Sequence, residues 1–222
     1  MELKEWQKQV RETFAAMQSR SKPYKIRVVG MDIIVMPNVY SPAYFADSEW
    51  FAWNISMIVG SKSLLEIGTG TGVVALCAAL GGAKVTATDI NPAATANARL
   101  NFREYNLDSR VLEGDMYKPL KDERFDFIFW NHPNNSGLAR NMLELAGFDI
   151  GYRALQRYVA GAASHLSEQG RLLLGTSNFA DNGMIWQIAA KNNYKILRLK
   201  NRTTQLGKFK TQTEWRIYEF RR

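Results

Sequence analysis

The chain has 222 residues, 46% of them hydrophobic and 23% charged, which is ordinary for one soluble domain with a substantial core. No apolar run is long enough to cross a membrane, the charged N-terminus lacks the apolar core of a signal peptide, and the single cysteine excludes an internal disulfide, so we expect a cytoplasmic protein. The net charge of +8 suits an acidic partner, and the two histidines are too far apart in sequence to indicate a metal site.

Two elements are predicted at the N-terminus. Over residues 2–19 apolar residues recur at steps of three and four, which predicts an amphipathic helix whose apolar face comprises Leu3, Trp6, Val10, Phe14 and Met17. Two β-rich runs at 24–29 and 33–36 flank a turn that contains glycine, which predicts a hairpin. We treat residues 1–36 as an N-terminal extension and residues 37–222 as the main domain.

After a loop at 37–49 and a helix near 48–59, strands and helices alternate. Strands are expected at 63–68, 84–90, 110–115, 124–131, 170–176, 194–202 and 212–220, and helices at 72–81, 92–106, 151–166 and 182–192. Alternation with short connections predicts an α/β fold with helices on both faces of a mostly parallel sheet. Only a polar loop at 203–211 separates the last two strands, so they should form an antiparallel hairpin at the sheet edge.

The first strand of the alternating part runs into a turn with three glycines, Gly68, Gly70 and Gly72. Glycine permits positive φ and lets a ligand approach the backbone where a Cβ atom would block it. Asp89 ends the next strand, at a spacing where a carboxylate can bind both hydroxyls of a ribose. The G-x-G-x-G pattern fits neither the dinucleotide fingerprint nor the Walker motif, which indicates another nucleoside-containing cofactor.

The segments E-I-G-T-G-T-G at 66–72 and D-I-N-P at 89–92 resemble the S-adenosylmethionine site of class I methyltransferases. This resemblance implies a Rossmann-like, doubly wound sheet of seven strands, mostly parallel with an antiparallel last strand, and S-adenosyl-L-methionine as the cofactor. It also implies that the glycine turn passes under the methionine part of the cofactor. The candidate cofactor-binding residues are Glu66, Gly68, Thr69, Gly70, Gly72, Asp89, Ile90, Asn91, Asp115, Met116 and Asn131.

Some of these assignments have a simpler structural alternative. By similarity Asp115 would meet the adenine amino group with Met116 beside the ring, but an aspartate at a strand end also caps the following turn. Glu66 either reaches the amino end of the cofactor or caps the glycine loop. Tyr44 lies, with Asp47 and Glu49, where related enzymes lay a loop across the methionine part, and it is a candidate substrate-binding residue.

The strand at 124–131 delivers the tetrad Asn131-His132-Pro133-Asn134, which resembles the N-P-P-Y motif of amino-group methyltransferases, including the HemK/PrmC-like enzymes with a methyltransferase small domain. An amide, guanidino or ring nitrogen shares its lone pair with a π system and attacks poorly. An asparagine carbonyl and a main-chain carbonyl can accept its N–H bonds and hold it in line with the methyl group. The candidate catalytic residues are Asn131, His132 and Pro133, whose fixed φ helps to present a carbonyl.

The tetrad departs from the usual motif at two positions. His132 stands where proline is usual, and it acts either as a proton acceptor or as a turn residue that binds the backbone. Asn134 stands where an aromatic side chain normally stacks on a planar substrate. Its polarity indicates a substrate rich in hydrogen-bonding groups, so Asn134 is a candidate substrate-binding residue.

The sequence therefore predicts an S-adenosylmethionine-dependent N-methyltransferase that acts on an amide, amine or guanidino nitrogen of a small polar molecule or a peptide. An RNA nucleobase or a protein glutamine is an alternative acceptor, and a catalytically inactive, cofactor-binding partner subunit is another alternative. HemK-like enzymes carry a sizeable N-terminal recruiting domain where this chain has one helix and a hairpin, which argues against release-factor modification.

RNA remains open because of the basic C-terminal rim. Residues 195–222 hold nine Lys or Arg against two Glu, with Arg202, Lys208 and Lys210 expected near the ligand edge of the sheet. A solvated surface explains the same charges, and no RNA-binding motif accompanies them.

Overall fold

The computed structural model describes residues 3–108, 110–206 and 211–222. Its strands are β1 (Tyr24–Val28), β2 (Met31–Val35), β3 (Ser63–Ile67), β4 (Lys84–Asp89), β5 (Arg110–Glu113), β6 (Phe125–Asn131), β7 (Leu166–Ser177), β8 (Lys195–Leu206) and β9 (Thr211–Arg221). In these ranges β1 and β2 form a hairpin, and the other strands form a seven-stranded sheet with the order β5-β4-β3-β6-β7-β9-β8.

The α-helices of the described ranges cover both faces of this sheet. They are α1 (Leu3–Gln18), α2 (Asp47–Val59), α3 (Val73–Leu80), α4 (Pro92–Glu104), α5 (Arg153–His165) and α6 (Asn182–Lys191). One apolar cluster lies between α2, α3 and α4 and one sheet face, and a second lies between α5 and α6 and the other face. The predicted doubly wound α/β fold is therefore confirmed. Within these ranges, every helix is too short or too polar to span a membrane.

Strand direction places the edge of the sheet where a ligand can bind. β3 pairs in parallel with β4 and with β6, β4 pairs in parallel with β5, and β6 pairs in parallel with β7. β9 runs antiparallel to both β7 and β8, which confirms the predicted hairpin at the edge. Because the chain leaves β5 and re-enters the sheet at β6 on the other side of β3, an open crevice forms at the carboxyl ends of β3, β4 and β6.

The C-terminal part of the sheet differs from the expected bounds. β7 begins at Leu166 because this residue already pairs with Phe125 before a bulge interrupts the ladder. β8 continues to Leu206 and β9 begins at Thr211, so much of the expected polar loop is strand. Lys208 and Lys210, which we expected near the ligand edge, lie outside the described residues.

The segment between β6 and α5 contains two short 3-10 helices that were not expected, Leu143–Ala146 and Ile150–Tyr152. A single helical turn offers no repeating apolar pattern, so sequence periodicity does not reveal it. The first of these turns contacts α1, and the two are joined by an ion pair between Arg11 and Glu144 at 2.7 Å.

The apolar face of α1 packs beside the carboxyl end of β6. Trp6, Val10 and Phe14 are buried in a third apolar cluster with residues of the first 3-10 turn and of the loop before α2. The ring of Trp6 stacks on Phe179, with centroids 3.7 Å apart. The predicted amphipathic helix is confirmed, and its apolar face contacts the region that follows the tetrad.

Candidate active site

A deep pocket lies at the carboxyl ends of β3, β4 and β6. Most of the side chains singled out by the sequence meet there, although they come from different strands. The predicted site residues that line the pocket are Glu66, Gly68, Thr69, Gly70, Asp89, Ile90, Asn91, Asp115, Met116, Asn131, His132, Pro133 and Asn134. Gly72 and Tyr44 are not among the lining residues.

The glycine turn forms a cradle that residues with a Cβ atom could not form. Gly68, Gly70 and Gly72 have φ values of +64°, +56° and +82°. A Cβ atom on Gly68 would lie 2.8 Å from Nε1 of Trp130, and one on Gly72 would lie 2.9 Å from Cβ of Ala98. Gly68 and Gly70 therefore shape the pocket wall, whereas Gly72 lets α3 begin close against α4.

Asp89 closes the cradle from the end of β4. Its Oδ2 accepts a hydrogen bond from the backbone N–H of Gly70 at 2.8 Å, and its Oδ1 accepts one from that of Asn91 at 2.9 Å. Burial raises the pKa of Asp89, and these backbone donors oppose the rise. Each carboxylate oxygen can accept a further hydrogen bond, so Asp89 fits the two hydroxyls of a ribose.

Glu66 is buried beneath the same turn. Its Oε2 accepts hydrogen bonds from the hydroxyl of Thr69 at 2.6 Å and from the backbone N–H of Ala75 at 3.1 Å. Burial raises the pKa of Glu66 to about 8, and the nearby charge of Asp89 adds to the rise. Glu66 therefore caps the loop and also lines the pocket, as a carboxyl group that is protonated at neutral pH.

Ile90, Asp115 and Met116 form the rim of the pocket beside β4 and β5. The carboxylate of Asp115 pairs with Arg157 at 3.0 Å and with Lys118 at 3.1 Å. A planar ring placed at this rim would contact the apolar side chains of Ile90 and Met116 and the carboxylate edge of Asp115. This arrangement fits an adenine, and the ion pairs also explain Asp115 without a ligand.

Asn131 is oriented by Asp47, at the first turn of α2. The Asn131 amide donates from Nδ2 to Oδ2 of Asp47 at 2.9 Å. Asp47 also accepts hydrogen bonds from the hydroxyl of Tyr40 at 3.1 Å and from the backbone N–H of Ser48 at 2.8 Å. Burial raises the pKa of Asp47, and its bonds with Asn131 and Tyr40 oppose the rise. Because the NH₂ group of Asn131 is held by a carboxylate, its carbonyl is left to accept a donor in the pocket.

His132 and Asn134 are tied to the end of β7. The His132 ring is buried with its Nε2 2.9 Å from the hydroxyl of Thr176, while Oδ1 of Asn134 accepts from the backbone N–H of Ser177 at 3.0 Å. Burial lowers the pKa of His132 to about 3, with a smaller opposing effect of the Pro133 carbonyl. A histidine that is neutral at physiological pH and accepts a proton so weakly is a poor general base.

A second part of the pocket lining is apolar and aromatic. It is walled by residues from α1, from the loop before α2 and from the first 3-10 turn, namely Trp6, Val10, Phe14, Tyr40, Phe45 and Leu143. The carboxyl groups that line the pocket are those of Asp47, Glu66, Asp89 and Asp115, of which Glu66 is protonated at neutral pH, and no Lys or Arg is among the described lining residues. The pocket therefore suits a cationic cofactor and a neutral acceptor group.

Some of these wall residues were not indicated as functional by the sequence. None of Trp6, Phe14, Tyr40 and Trp130 was predicted to belong to the site. Trp130 is buried, but its indole also contacts the glycine turn and lines the pocket. Tyr44 points elsewhere, because its hydroxyl accepts a hydrogen bond from Arg20 at 2.9 Å. No group of His, Cys, Asp and Glu within the described ranges could hold a metal ion.

Known proteins share this fold and these segments. The model of the methyltransferase small domain matches residues 30–198. The release factor glutamine methyltransferase of Bordetella pertussis is 35% identical over 136 residues, which cover 54% of this chain and 47% of that protein. The ribosomal RNA small subunit methyltransferase C of Actinobacillus pleuropneumoniae (serotype 7) is 27% identical over 187 residues, covering 78% of this chain and 53% of that protein.

A solved structure gives the same fold. The T. thermophilus 16S rRNA N2 G1207 methyltransferase, in complex with AdoMet and guanosine, superposes with a TM-score of 0.65 at 19% identity, over 90% of this chain and 50% of that one. The chain thus spans about half the length of the relatives that it matches. Because the family model matches about three quarters of its residues, the chain belongs to the methyltransferase small domain family, whose members use S-adenosylmethionine.

Proposed function

We propose that this chain is an N-methyltransferase that modifies the side-chain amide nitrogen of a peptide or protein. The observation that carries the proposal is the Asp47–Asn131 hydrogen bond, which leaves the Asn131 carbonyl facing the pocket as an acceptor. An amide nitrogen presents N–H bonds to such a carbonyl. Relatives of this chain include a protein glutamine methyltransferase, which supports an amide acceptor.

The proposed reaction needs little acid–base catalysis by the protein. When bound, S-adenosylmethionine supplies a methyl group on a positively charged sulfur. Asn131 and a main-chain carbonyl next to Pro133 accept the N–H bonds of the acceptor amide, which aligns its nitrogen and stabilises the positive charge that grows on it. The nitrogen sheds its proton late, through water, because neutral His132 is a weak acceptor at neutral pH.

The walls of the pocket support the same acceptor. Trp6, Phe14, Tyr40 and Phe45 keep bulk water away from the reacting groups, which strengthens the hydrogen bonds to Asn131. A neutral amide also loses less hydration energy than an anion when it enters a pocket lined by carboxyl groups. The acceptor side therefore matches an uncharged polar group on a short side chain.

An RNA nucleobase is the second candidate acceptor. It is favoured by the similarity to a ribosomal RNA methyltransferase over 78% of this chain and by the basic residues at 195–222. The pocket lining disfavours an RNA acceptor, because the described lining residues include four carboxyl groups and no Lys or Arg that could bind a phosphate.

The test is a transfer assay with isotope-labelled S-adenosylmethionine on a cell extract separated into small-molecule, protein and RNA fractions. We expect label in the protein or peptide fraction, recovered as an N-methylated amide by mass spectrometry. Label confined to RNA would overturn the proposal.

A variant connects the assay to the site. Asn131→Ala should lower kcat by roughly 10²–10³, the usual effect of losing one preorganised hydrogen bond to a developing charge. Asn54→Ala is the matched control, since Asn54 bonds the backbone of its own helix and does not line the pocket. Full turnover in Asn131→Ala would remove the role assigned to Asn131.

A further inference from the structure

The segment that follows the tetrad carries several exposed apolar side chains, two of which also line the pocket. We use the name apolar ridge for Leu138, Met142, Leu145 and Ile150, each at least 39% exposed although each is a large hydrophobic residue. They all come from the short segment between the tetrad and α5. Single exposed apolar residues are ordinary, whereas several together beside a pocket mark a surface that another molecule covers.

The apolar ridge is continuous with the pocket. Met142 and Leu145 also line it, and so does the exposed side chain of Ile90, which follows β4. These three lining residues are exposed, so they lie where the pocket opens to solvent and where an acceptor side chain would enter. The backbone that carries this side chain must therefore rest on or near the apolar ridge.

The apolar ridge is held in shape before any ligand binds. Glu144, within the segment, accepts hydrogen bonds from the side chain of Arg11 at 2.7 Å and from the backbone N–H of Arg140 at 2.8 Å. The side chain of Asn141 in turn accepts from the backbone N–H of Glu144 at 3.0 Å. Since these bonds fix the segment against α1, a ligand would lose little binding energy in ordering it.

Charge narrows the class of ligand. A shallow hollow beside the apolar ridge is lined by Lys8, Arg11 and Arg140, together with Glu12. Arg11 is neutralised by Glu144, while Lys8 and Arg140 form no ion pair with any described residue. A nucleic acid would place phosphates next to the carboxyl groups of the pocket, and it gains little from apolar side chains. A polypeptide can satisfy both surfaces, with apolar residues on the ridge and a carboxylate on the two cations.

We propose that the apolar ridge, with Lys8 and Arg140, is the docking surface for the polypeptide that carries the acceptor amide. The inference rests on the proposed function and names its substrate class. The recognised segment is extended, with an apolar residue within two positions of the modified residue and an acidic residue farther along.

A peptide library tests this specificity. Blocked heptapeptides with a central glutamine and random flanking residues are incubated with the full chain and deuterated S-adenosylmethionine, and the methylated products are sequenced by mass spectrometry. We expect enrichment of apolar residues next to the glutamine and of Asp or Glu at one outer position. Products without any flanking preference would overturn the inference while leaving the proposed function standing.

Matched variants then connect the preference to the surface. Leu138→Ser should raise KM for the preferred peptide about tenfold, the effect expected from losing roughly one buried leucine contact, without changing the affinity for S-adenosylhomocysteine. Leu197→Ser is the control, because Leu197 is also exposed but lies on the edge strand β8. Equal KM values for both variants would overturn the inference.

The double variant Lys8→Glu/Arg140→Glu should replace the preference for acidic residues by one for basic residues. Lys84→Glu is its control, since Lys84 is exposed at the opposite end of the parallel strands. An unchanged acidic preference in the double variant would overturn the role of the two cations. If the unaltered chain methylates no peptide, or if total RNA added to the same assay takes all of the label, the proposed function and this inference both fail.

Discussion

In the proposed reaction, the amide of Asn131 can bind the acceptor nitrogen only if its carbonyl, rather than its NH₂ group, faces the acceptor. Asp47 determines this, because a buried carboxylate accepts hydrogen bonds and cannot donate them. In Asp47→Asn the new NH₂ group can take the place of Oδ2, and the Asn131 amide then turns its carbonyl toward residue 47 and its own NH₂ group into the pocket. We expect kcat to fall by roughly tenfold or more, since the N–H group of the bound acceptor then meets no carbonyl, and an unsatisfied buried donor costs about 1–3 kcal/mol. Steady-state kinetics on the acceptor identified by the extract assay would measure the loss.

Tyr40→Phe is the control for this prediction. It keeps the aromatic wall and removes one donor to the same carboxylate, so the orientation of Asn131 should persist and kcat should fall less. Should Asp47→Asn turn over as fast as the unaltered chain, the carbonyl of Asn131 would not be oriented by Asp47.

The raised pKa of Glu66 predicts that cofactor binding depends on pH. Its pKa is raised from 4.5 to about 8, so below pH 8 the free protein carries this group protonated. The α-ammonium group of the ligand, if it lies beside Glu66, favours the ionised form and expels the proton. The dissociation constant of S-adenosylhomocysteine should therefore fall by up to about tenfold between pH 6 and pH 7, where the ligand amine stays charged. Calorimetry in buffers of different ionisation enthalpy would detect the released proton.

The raised pKa of Glu66 also makes the stability of the fold depend on pH. Because the folded chain binds this proton more tightly than the unfolded chain, the contribution of Glu66 to stability is complete below pH 4.5 and is lost as the pH rises through about 8. Glu66→Gln carries no proton to lose, so its ligand affinity should not change between pH 6 and pH 7. A dependence that persists in this variant would assign the proton to another group.

At the scale of elements, the helices and strands that carry strong periodicity were predictable, but their partners were not. The spacing of Trp6, Val10 and Phe14 predicted an amphipathic helix at the N-terminus, and this helix is α1. Periodicity shows which face is apolar and does not show what covers it. The contact of α1 with the first 3-10 turn depends on tertiary packing across more than 120 residues of chain, as in the Arg11–Glu144 pair (|i−j| = 133).

The loop before α2 shows a second limit of prediction from the sequence. It contains Tyr40 and Tyr44, and the resemblance to known enzymes pointed to Tyr44. In a loop no repeating pattern determines which side chain faces inward. Here the backbone turns between Ser41 and Tyr44. The Tyr40 hydroxyl bonds Asp47, whereas the Tyr44 hydroxyl bonds Arg20. The residues of the glycine turn were predictable because positive φ and close packing restrict those positions to glycine.

The contact between α1 and the first 3-10 turn can be loosened at one glycine. A Cβ atom on Gly147 would come within 2.7 Å of Cζ of Phe14, so Gly147→Ala must displace the ring or the helix. We expect a loss of about 1–3 kcal/mol in the free energy of unfolding, as overpacking usually costs, together with weaker acceptor binding. The cofactor cradle is built on other elements, so the affinity for S-adenosylhomocysteine should hold. Urea unfolding and calorimetry would measure the two effects.

Gly183→Ala is the matched control at this scale. Gly183 lies in the first turn of α6, where the nearest atom to an added Cβ is Oδ1 of Asp181 at 3.3 Å. Alanine is the better helix former, so this variant should be as stable as the unaltered chain or slightly more so. A Gly147→Ala protein with unchanged stability and unchanged acceptor KM would show that α1 can shift without affecting the site.

At the scale of the whole molecule, the sheet order brings together residues that are distant in sequence. Gly68 directly follows β3, and Asp89 and Asn131 end β4 and β6. These three strands are adjacent and parallel, so the three residues meet at one edge. This part of the site was predictable because topology alone positions strand ends. The bound S-adenosylmethionine carries positive charge at its sulfur and its amine, and the carboxyl groups lining the pocket complement it although the chain as a whole is basic.

Ligand binding at this edge should stabilise the entire fold, because the pocket is built from several elements that unfold together. At 100 times its dissociation constant a ligand adds about 2.7 kcal/mol, which for a chain of this size raises Tm by roughly 5–10 °C. Asp89→Asn weakens the ribose contact, each hydrogen bond to a charged group contributing about 1.5–3 kcal/mol. At the same S-adenosylhomocysteine concentration its Tm should rise by only about 1–2 °C in differential scanning calorimetry. Asp122→Asn, at an exposed loop position, is the control and should keep the full rise in Tm. A full rise in Tm for Asp89→Asn would contradict the ribose role of Asp89.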